Sequence, residues 1–292
     1  MKPVDFDYVK PNSVEDAVVA LSEAAGEGKV IAGGQSLMPL LNMRLARPKV
    51  LVDISGLPFD IIEDCDETVR IGANVRQCDI EPSALVKKFI PLLIKAMPYV
   101  GHQQTRNRGT VVGSIAHADP SGEIPLVACM LDAVLEISSP SGNRQVPINE
   151  FYYGYLLTAL QTDEIITGIL FPKQNKFNVN SGSAFTEMSR RHGDFALVSA
   201  ACHLELDVSG VITDKRLGLG GVDAVPLRLL QLEHELTGKV LSKELTHNIS
   251  LQVKDLIEPE DDLNATADYR KFVAAKLIER VLNQAHAEAV HS

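Results

Sequence analysis

The sequence predicts a fold of mixed helices and strands, because helical and strand patterns alternate up to Pro172 and a long β-rich stretch then precedes a helical C-terminal part. The first helix is predicted to begin after Ser13, whose hydroxyl lies three residues before Asp16 and can cap it. Apolar residues continue at helical spacing from there until Gly26. The alternation and this helix start are typical of chains that pack helices against sheets.

The other elements follow from the same patterns. Segment 139–147 is predicted as a polar turn of hairpin character, and segment 172–183, rich in Asn, Lys, Ser and Gly, is the best candidate for a linker. After it, 196–208 is β-like, 211–222 continues as a glycine-rich strand, and the chain from 227 onward is mostly helical. The remaining predicted strands are 29–32, 50–54, 69–73, 131–138 and 164–171, and the remaining predicted helices are 37–45, 83–96 with a break at Pro91, 114–118 and 123–130.

Composition describes an ordinary globular protein of 292 residues, 45% hydrophobic and 23% charged, long enough for two or three domains. A net charge of −10 argues against a general nucleic-acid or anionic-membrane partner, because both recruit basic surfaces. Neither a cleavable signal nor a run of about eighteen apolar residues is found, so we expect a cytoplasmic protein without a membrane span. No CxxC pair occurs, so free buried thiols are expected rather than a zinc ribbon or iron–sulfur cluster at Cys65, Cys78, Cys129 and Cys202.

Two small glycine-bearing turns are the most informative stretches of the chain. The first, AGGQSL at 32–37, follows a predicted strand, and the second lies within TVVGSIAHADPSGEIP at 110–125. Glycine has no Cβ, so successive backbone N–H groups can converge on an anion, and neighbouring serine hydroxyls add donors. The pair of turns therefore indicates a pyrophosphate site. No P-loop, HExxH or GxSxG motif occurs, so phosphoryl transfer and standard hydrolysis are not supported.

The amino-acid sequence of both turns resembles that of the flavin-binding medium subunit of the molybdenum hydroxylases. This is the family of carbon monoxide dehydrogenase, xanthine dehydrogenase and bacterial N-heterocycle or aromatic dehydrogenases. The resemblance runs from about Pro11 to about Leu282. It implies an α+β fold class, with a FAD-binding PCMH-type domain at 1–176 followed by a CO-dehydrogenase-flavoprotein-type C-terminal domain of antiparallel strands plus helices at 177–292. The first domain is expected to contain two α/β subdomains, about 1–55 and 56–176.

The resemblance also implies which residues hold the cofactor. The first turn matches the family's first FAD pyrophosphate loop. In the second, the family usually has Gly-Gly where this chain has Val112 and Gly113, which puts direct backbone contact at 112 in doubt but leaves Gly113 and Ser114 able to approach the phosphates. The cofactor-binding residues expected from these two loops are Ala32, Gly33, Gly34, Gln35, Ser36, Leu37, Thr110, Gly113 and Ser114.

Four further residues carry weaker signals. His117 and Asp119 suggest an acid–base dyad, but residues two apart do not face each other on a helix, so both are interpreted as cofactor-binding and no catalytic or metal residue is proposed. His117 falls where the family places a polar side chain near the FAD phosphates or ribityl chain, and a diphosphate would favour its protonated form. Glu123 falls where the family places a flavin-contacting carboxylate, and Asp194 in SRRHGDFA at 189–196 is expected near the flavin ring.

Three other features of the sequence each allow two interpretations. Arg190 and Arg191 suit either tuning of the flavin or a solvated charge pair. The glycines at 218–221 are interpreted as a glycine-rich strand end, because Asp223 stands where a dinucleotide fingerprint needs its third glycine. Asp53, at the end of its strand, suits ribose recognition or a turn cap.

The resemblance implies a function as well. The chain is expected to be the FAD-binding electron-transfer subunit of a molybdenum-containing hydroxylase or dehydrogenase, with FAD held non-covalently. A small subunit with two two-iron, two-sulfur clusters and a large subunit with molybdopterin are the implied partners, commonly in a dimer of heterotrimers. Electrons would leave to an external acceptor such as NAD, oxygen, a quinone or a carrier protein. The alternatives are a self-sufficient FAD-dependent oxidoreductase of the same fold and a flavin-free structural subunit.

Overall fold

The structure is a computed structural model that describes residues 2–174 and 180–292. It begins with a small parallel sheet in the strand order β1-β3-β2. Ser13 Oγ accepts a hydrogen bond of 3.0 Å from Asp16 N at the start of α1, as the sequence predicts, and α1 buries Ala17, Val18 and Leu21. The elements of this part are β1 (Asp7–Val9), α1 (Val14–Glu23), β2 (Gly28–Ile31), α2 (Leu37–Asn42) and β3 (Val50–Asp53).

A five-stranded antiparallel sheet follows, in the order β4-β5-β10-β6-β7, with short helices packed around it. Strands β8 and β9 form a separate two-stranded hairpin. The elements are β4 (Ile62–Cys65), β5 (Thr68–Gly72), α3 (Gln77–Ile80), α4 (Ala84–Phe89), α5 (Pro91–Ala96), α6 (Gln103–Arg106), α7 (Val111–His117), α8 (Glu123–Met130), β6 (Val134–Ser139), β7 (Gly142–Pro147), β8 (Tyr152–Gly154), β9 (Leu157–Thr158) and β10 (Ile165–Pro172).

The C-terminal part is a four-stranded antiparallel sheet in sequence order, followed by helices. Its elements are β11 (Asn180–Met188), β12 (Val198–Leu206), β13 (Ile212–Gly220), β14 (Leu227–Arg228), α9 (Leu230–Leu236), α10 (Lys243–Leu256) and α11 (Ala267–His291). None of the helices in the two described ranges is long and apolar enough to cross a membrane.

The C-terminal sheet packs on both faces. On one face α11 approaches so closely that a Cβ at Gly182 would lie 2.7 Å from Ala289 N, and Ala184 joins the core beneath α10 and α11. Because side chains alternate along a strand, the neighbouring residues Phe185 and Ala201 point the other way, into the core built by residues before 174. The two hydrophobic cores therefore share this sheet.

Most predicted elements are confirmed, and three predictions are wrong in part. The proposed linker 172–183 overlaps β10 and β11, so only 173–179 is left for it, and 175–179 of that stretch lies outside the described residues. The helix after the first turn ends at Asn42 rather than at 45, and Arg44 beyond it has φ +60°. The polar turn at 139–147 is a hairpin whose second half is β7, paired with β6 throughout.

The cysteines are free, but burial is not uniform. Cys202 is buried, Cys78 and Cys129 are half-buried, and Cys65 is exposed. Burial raises the pKa of the Cys129 thiol to about 12, so this thiol stays protonated at neutral pH. The expectation of buried thiols is therefore wrong for Cys65.

Candidate functional site

The first glycine turn leaves the end of β2 and is pressed against the second. A Cβ on Gly33 would overlap Arg108 O and lie 2.8 Å from Gly109 Cα, so the backbone of one turn occupies the space that a side chain of the other would need. Gly34 has φ +71°, a conformation that residues with a Cβ rarely adopt. Each glycine therefore has its own structural requirement.

Hydrogen bonds within the first turn fix its shape. Gln35 Nε2 donates to Gly33 O at 3.2 Å, and Met38 N donates to Gly34 O at 3.0 Å. Ser36 occupies the N-cap position of α2, yet its side chain makes no capping hydrogen bond. Its hydroxyl is thus free to serve a ligand.

The second turn is held by Thr110, the N-cap of α7. Thr110 Oγ1 accepts a hydrogen bond of 2.9 Å from Gly113 N, and Thr110 O accepts one of 3.2 Å from Ser114 N. The amides of Gly113 and Ser114 are therefore used inside the helix start. What these two residues can offer a ligand is the hydroxyl of Ser114 and close approach over Gly113.

Arg106 anchors the lead into the second turn. Its buried guanidinium donates to Val100 O at 3.0 Å, to Gly101 O at 3.1 Å and to Gln103 Oε1 at 3.1 Å. Gln77 N, from α3, donates to Gly109 O at 2.8 Å. These bonds tie the turn to the second sheet's helices, so Arg106 holds the loop rather than a ligand.

Both turns open on one cavity of about 940 Å³. All thirteen residues that the sequence singles out line it, although they come from three separate regions of the chain. They are Ala32, Gly33, Gly34, Gln35, Ser36, Leu37, Thr110, Gly113, Ser114, His117, Asp119, Glu123 and Asp194.

Three ionisable side chains, His117, Asp119 and Glu123, line the cavity between the end of α7 and the start of α8. Helix α7 ends at His117, because Ala118 has φ +57°, and Asp119 Oδ1 then accepts a hydrogen bond of 2.9 Å from Ser121 N. Burial lowers the pKa of His117, against the opposing charge of Asp119, so the chain alone favours the neutral imidazole. Glu123, at the start of α8, is only 4% exposed, and burial raises its pKa to about 7.

The loop that carries Asp194 joins the cavity from the C-terminal part. Gly193 has φ +87°, and a Cβ there would lie 2.7 Å from His102 Nδ1, so the loop is seated directly on the segment before α6. Asp194 N donates to Arg191 O at 3.1 Å, which tightens the loop, while the Asp194 side chain is exposed. Arg190 donates to Asn264 Oδ1 at 3.3 Å, a contact that supports the reading as a surface charge.

Two of the ambiguous features have structural roles. A Cβ on Gly218 would lie 2.9 Å from Leu227 O, with Met130 and Leu126 of α8 also within contact range. Asp53 accepts hydrogen bonds from Ser55 N, at 2.9 Å, and from the Tyr8 hydroxyl. The glycine-rich strand end and the turn cap are thus the interpretations that fit.

Sequence reasoning missed part of the cavity wall. Leu45, Arg47, Leu156, Leu160 and Phe195 also line it. Leu45, Leu156 and Phe195 are strongly exposed for apolar residues. Phe195 lies within the motif at 189–196, but no local motif marks Leu45 or Leu156, and only the folded chain brings the three together.

Two models of known protein families match this chain. Residues 4–174 match a family model described as the FAD binding domain in molybdopterin dehydrogenase, and residues 183–285 match the CO dehydrogenase flavoprotein C-terminal domain. The predicted α+β order of a FAD-binding domain followed by a C-terminal domain of this type is confirmed.

Individual relatives match over almost the whole chain. The 6-hydroxypseudooxynicotine dehydrogenase complex subunit alpha of Paenarthrobacter nicotinovorans is 36% identical, covering 100% of this chain and 96% of that protein. The nicotine 6-hydroxylase medium subunit of the same organism is 35% identical, covering 98% and 99%. A solved structure of carbon monoxide dehydrogenase from Hydrogenophaga pseudoflava superposes with a TM-score of 0.94 at 33% identity, over 99% of both chains. The chain therefore belongs to the family of FAD-binding medium subunits of molybdenum-containing hydroxylases and dehydrogenases.

Proposed function

We propose that this chain carries electrons within a molybdenum-containing hydroxylase or dehydrogenase. It receives them on FAD from the iron–sulfur clusters of a small partner subunit and passes them to an external acceptor. A large partner subunit holds the molybdenum cofactor and oxidises the substrate, so the substrate is selected there. Two copies of each of the three subunits form the assembly.

The observation that supports this proposal most is the convergence of both glycine turns on one cavity. Its volume of about 940 Å³ lies near the upper end of the usual range for ligand cavities, about 300–1,000 Å³, as an elongated dinucleotide requires. The contact of Gly33 with the backbone at 108–109 keeps the two turns together, so that donors from both can face the same ligand.

The residues present fit FAD held without a covalent bond. Ser36, Ser114 and Gly34 line the cavity; the two hydroxyls would donate to the diphosphate, and Gly34 would let the ligand approach the backbone. Asp194 lines the same cavity and would accept a hydrogen bond from a ring N–H. FAD supplies the redox chemistry when bound, while these residues bind it, orient it and exclude water.

The proposal includes the division of the chain. The FAD-binding domain comprises 1–176, with subdomains of about 1–55 and 56–176 that correspond to the parallel and the five-stranded sheets, and the C-terminal domain comprises 177–292. The two hydrophobic cores support the boundary between the FAD-binding domain and the C-terminal domain, since the second core is built from residues after 183.

The test is the visible absorption spectrum of the native complex purified through a tag on this chain, with subunit sizes read from the same preparation. Flavin bands together with iron–sulfur absorption and two additional subunits are expected. Flavin on an isolated chain that an organic substrate reduces directly would instead establish a self-sufficient oxidoreductase. A folded complex that stays colourless with saturating FAD would establish a structural subunit and contradict the proposal.

A further inference from the structure

Two carbonyl groups lie just past the end of the ladder between β12 and β13. The last pair in its register is Ser199 opposite Gly220, and the chain turns at Gly221, where φ is +74°. A Cβ on Gly221 would lie 2.8 Å from Leu197 O, so these two residues are packed directly against each other. The carbonyl oxygens of Leu197 and Gly221 are therefore close enough to share one donor.

The donor is a single buried arginine. Arg270 lies near the start of α11 and is only 7% exposed. Its Nη1 donates to Gly221 O at 2.9 Å and also to Leu197 O, and its Nη2 donates to Asp262 Oδ2 at 2.7 Å. One guanidinium thus holds three acceptors with two nitrogens, which the planar fork of arginine allows and the single nitrogen of lysine does not.

Asp262 is itself fixed, so the guanidinium has a firm anchor. Asp262 Oδ1 accepts hydrogen bonds of 2.8 Å from the backbone N–H groups of Asn264 and Ala265. Its other carboxylate oxygen is left for Arg270. Because a hydrogen bond between two charged groups is stronger than a neutral one, Asp262 orients the guanidinium toward the two carbonyls.

The first carbonyl belongs to the end of the Asp194 loop, residues 189–196. Leu197 N donates to Met188 O at 2.7 Å, which closes the loop at its base, and Leu197 O is held by Arg270. Asp194 within the loop lines the cavity. Arg270 therefore fixes the base of a loop whose middle forms part of the cavity wall.

The second carbonyl leads to the turn between α7 and α8. Gly221 O accepts from Arg270, while Gly221 N donates to Pro120 O at 3.0 Å. Asp119 and Gly122, on either side of Pro120, line the cavity. Arg270 itself is not among the described residues that line it. It therefore lies behind two pieces of the cavity wall, one from the C-terminal part of the chain and one from the part before 174.

We propose that Arg270 is a positioning residue for FAD, which sets the place of the Asp194 loop relative to the turn between α7 and α8 without touching the ligand. This inference rests on the function proposed above, in which Asp194 accepts a hydrogen bond from a ring N–H. A carboxylate beside the ring disfavours the negative charge that reduction adds, so the position of Asp194 affects the midpoint potential of the flavin.

Loss of the guanidinium has two expected effects on bound FAD. Leu197 O and Gly221 O lose their charged donor, so the loop base and the turn are no longer held together. FAD must then order these segments when it binds, which weakens its affinity. Asp194 is also no longer held beside the ring, so the flavin becomes easier to reduce and its midpoint potential rises.

The experiment compares Arg270→Met with Arg228→Met in the native complex, after its FAD is removed and supplied again. Arg228 is the matched control, because it is a half-buried arginine that donates to Glu233 and, across the same two parts of the chain, to Asp132. None of these three is among the described residues that line the cavity. The measurements are the thermal midpoint, the FAD dissociation constant, and the flavin midpoint potential at saturating FAD.

Both variants should lower the thermal midpoint, because each removes buried hydrogen bonds. Arg270→Met alone should raise the FAD dissociation constant, by about tenfold, and raise the flavin potential, whereas Arg228→Met should stay within about twofold of the wild type in affinity and keep its potential. Arg270→Lys keeps one donor nitrogen and should lie between the wild type and Arg270→Met.

Asp194→Asn tests whether Arg270 acts through the loop. In the wild type this substitution removes the carboxylate charge and should raise the flavin potential. In Arg270→Met it should add less than half of that shift, because Asp194 has already left its place. Shifts that simply add would overturn the proposal, since residues that act through one another are not additive.

Asp262→Asn keeps the test decisive if Arg270→Met does not fold. It lies at an exposed position and weakens only the anchor of the guanidinium, so affinity and potential should change in the same directions by smaller amounts. If the folded variant, Arg270→Met or otherwise Asp262→Asn, matches Arg228→Met in FAD affinity and potential, Arg270 has no role beyond stability. A wild-type complex that binds no FAD contradicts the function proposed above, whereas FAD binding that these variants leave unchanged contradicts only the role of Arg270.

Discussion

Replacing Gly33 by alanine tests whether the two glycine turns need each other. The added Cβ would overlap Arg108 O and lie 2.8 Å from both Arg108 C and Gly109 Cα. These are backbone atoms, held in place by hydrogen bonds from Gln77 and by the anchored Arg106. They cannot give way as the tip of a flexible side chain would, so one turn must move away from the other.

The stability that Gly33→Ala loses can be estimated by comparison with alanine substitutions at other glycines in the chain. Overpacking costs about 1–3 kcal/mol, and collision with fixed backbone puts Gly33→Ala near the upper end. In Gly34→Ala the added Cβ meets only side-chain atoms, Met38 Cγ at 3.3 Å and Ile31 Cδ1 at 3.4 Å, so the main cost of this substitution is the strain of φ +71°, about 1–2 kcal/mol. Gly154→Ala meets nothing within 4 Å and should be within about 0.5 kcal/mol of the wild type.

If the two turns of Gly33→Ala separate in the FAD-free protein, they must come together again when FAD binds, and the free-energy cost of that collision is then subtracted from the binding free energy. About 3 kcal/mol then corresponds to about a hundredfold loss of affinity. The assay is FAD content and FAD dissociation constant of the purified complex, together with its thermal midpoint. A Gly33→Ala complex that matches Gly154→Ala in all three measurements would refute the claim that contact between the turns builds the site.

Three more outcomes are expected. Ser36→Ala should weaken FAD binding about tenfold, the loss of one hydrogen bond to a charged group, and leave the thermal midpoint of the FAD-free protein unchanged, because this hydroxyl makes no capping bond. Thr110→Ala removes the cap of α7 and should cost about 1 kcal/mol of stability as well as FAD affinity, whereas Thr266→Ala, at the cap of α11, should cost only stability in the same thermal and FAD-binding assays. The pKa of Glu187 lies above its unfolded value, so the folded state binds an extra proton between about pH 4.5 and 8 and the free energy of unfolding falls as the pH rises through that window. Glu187→Gln should therefore be more stable than the wild type at pH 8, by about 2 kcal/mol after allowing for partial exposure, and equally stable at pH 4. Flavin release on heating measures both.

How far the sequence predicts this fold depends on whether a signal is local. The cap at Ser13 and the break at Pro91 are local signals: α1 begins directly after Ser13, α4 ends before Pro91, and α5 begins at Pro91. Strand β11 was missed in part, because its polar and small residues Ser181–Ser183 are typical of a linker. The reason for Gly182 is distant in sequence: α11 packs on it too closely for any side chain. Such contacts exist only in the folded chain.

The candidate site shows the same division. Family resemblance and glycine content identified residues that line the cavity in both turns, but not what those residues do. The amide of Gly113, expected near the phosphates, bonds to Thr110 instead. The apolar wall at Leu45 and Leu156 has no sequence signature, because it is assembled from segments more than a hundred residues apart.

A glycine beside a ligand is usually explained by the need to leave space for the ligand. At three glycines of this chain the space is instead needed by another part of the protein. Gly33 is required by the backbone at Arg108, Gly193 by the ring of His102, and Gly218 by α8 and β14. Each stands where two separate parts of the chain meet, and the first two line the cavity. Loss of FAD in a Gly33 variant would therefore indicate, first of all, that the contact between the two turns is disturbed. Direct contact with the diphosphate is tested only at residues such as Ser36, whose side chain makes no capping hydrogen bond at the start of α2. The contrast between the Gly33 and Ser36 variants separates assembly of the cavity from recognition of its ligand.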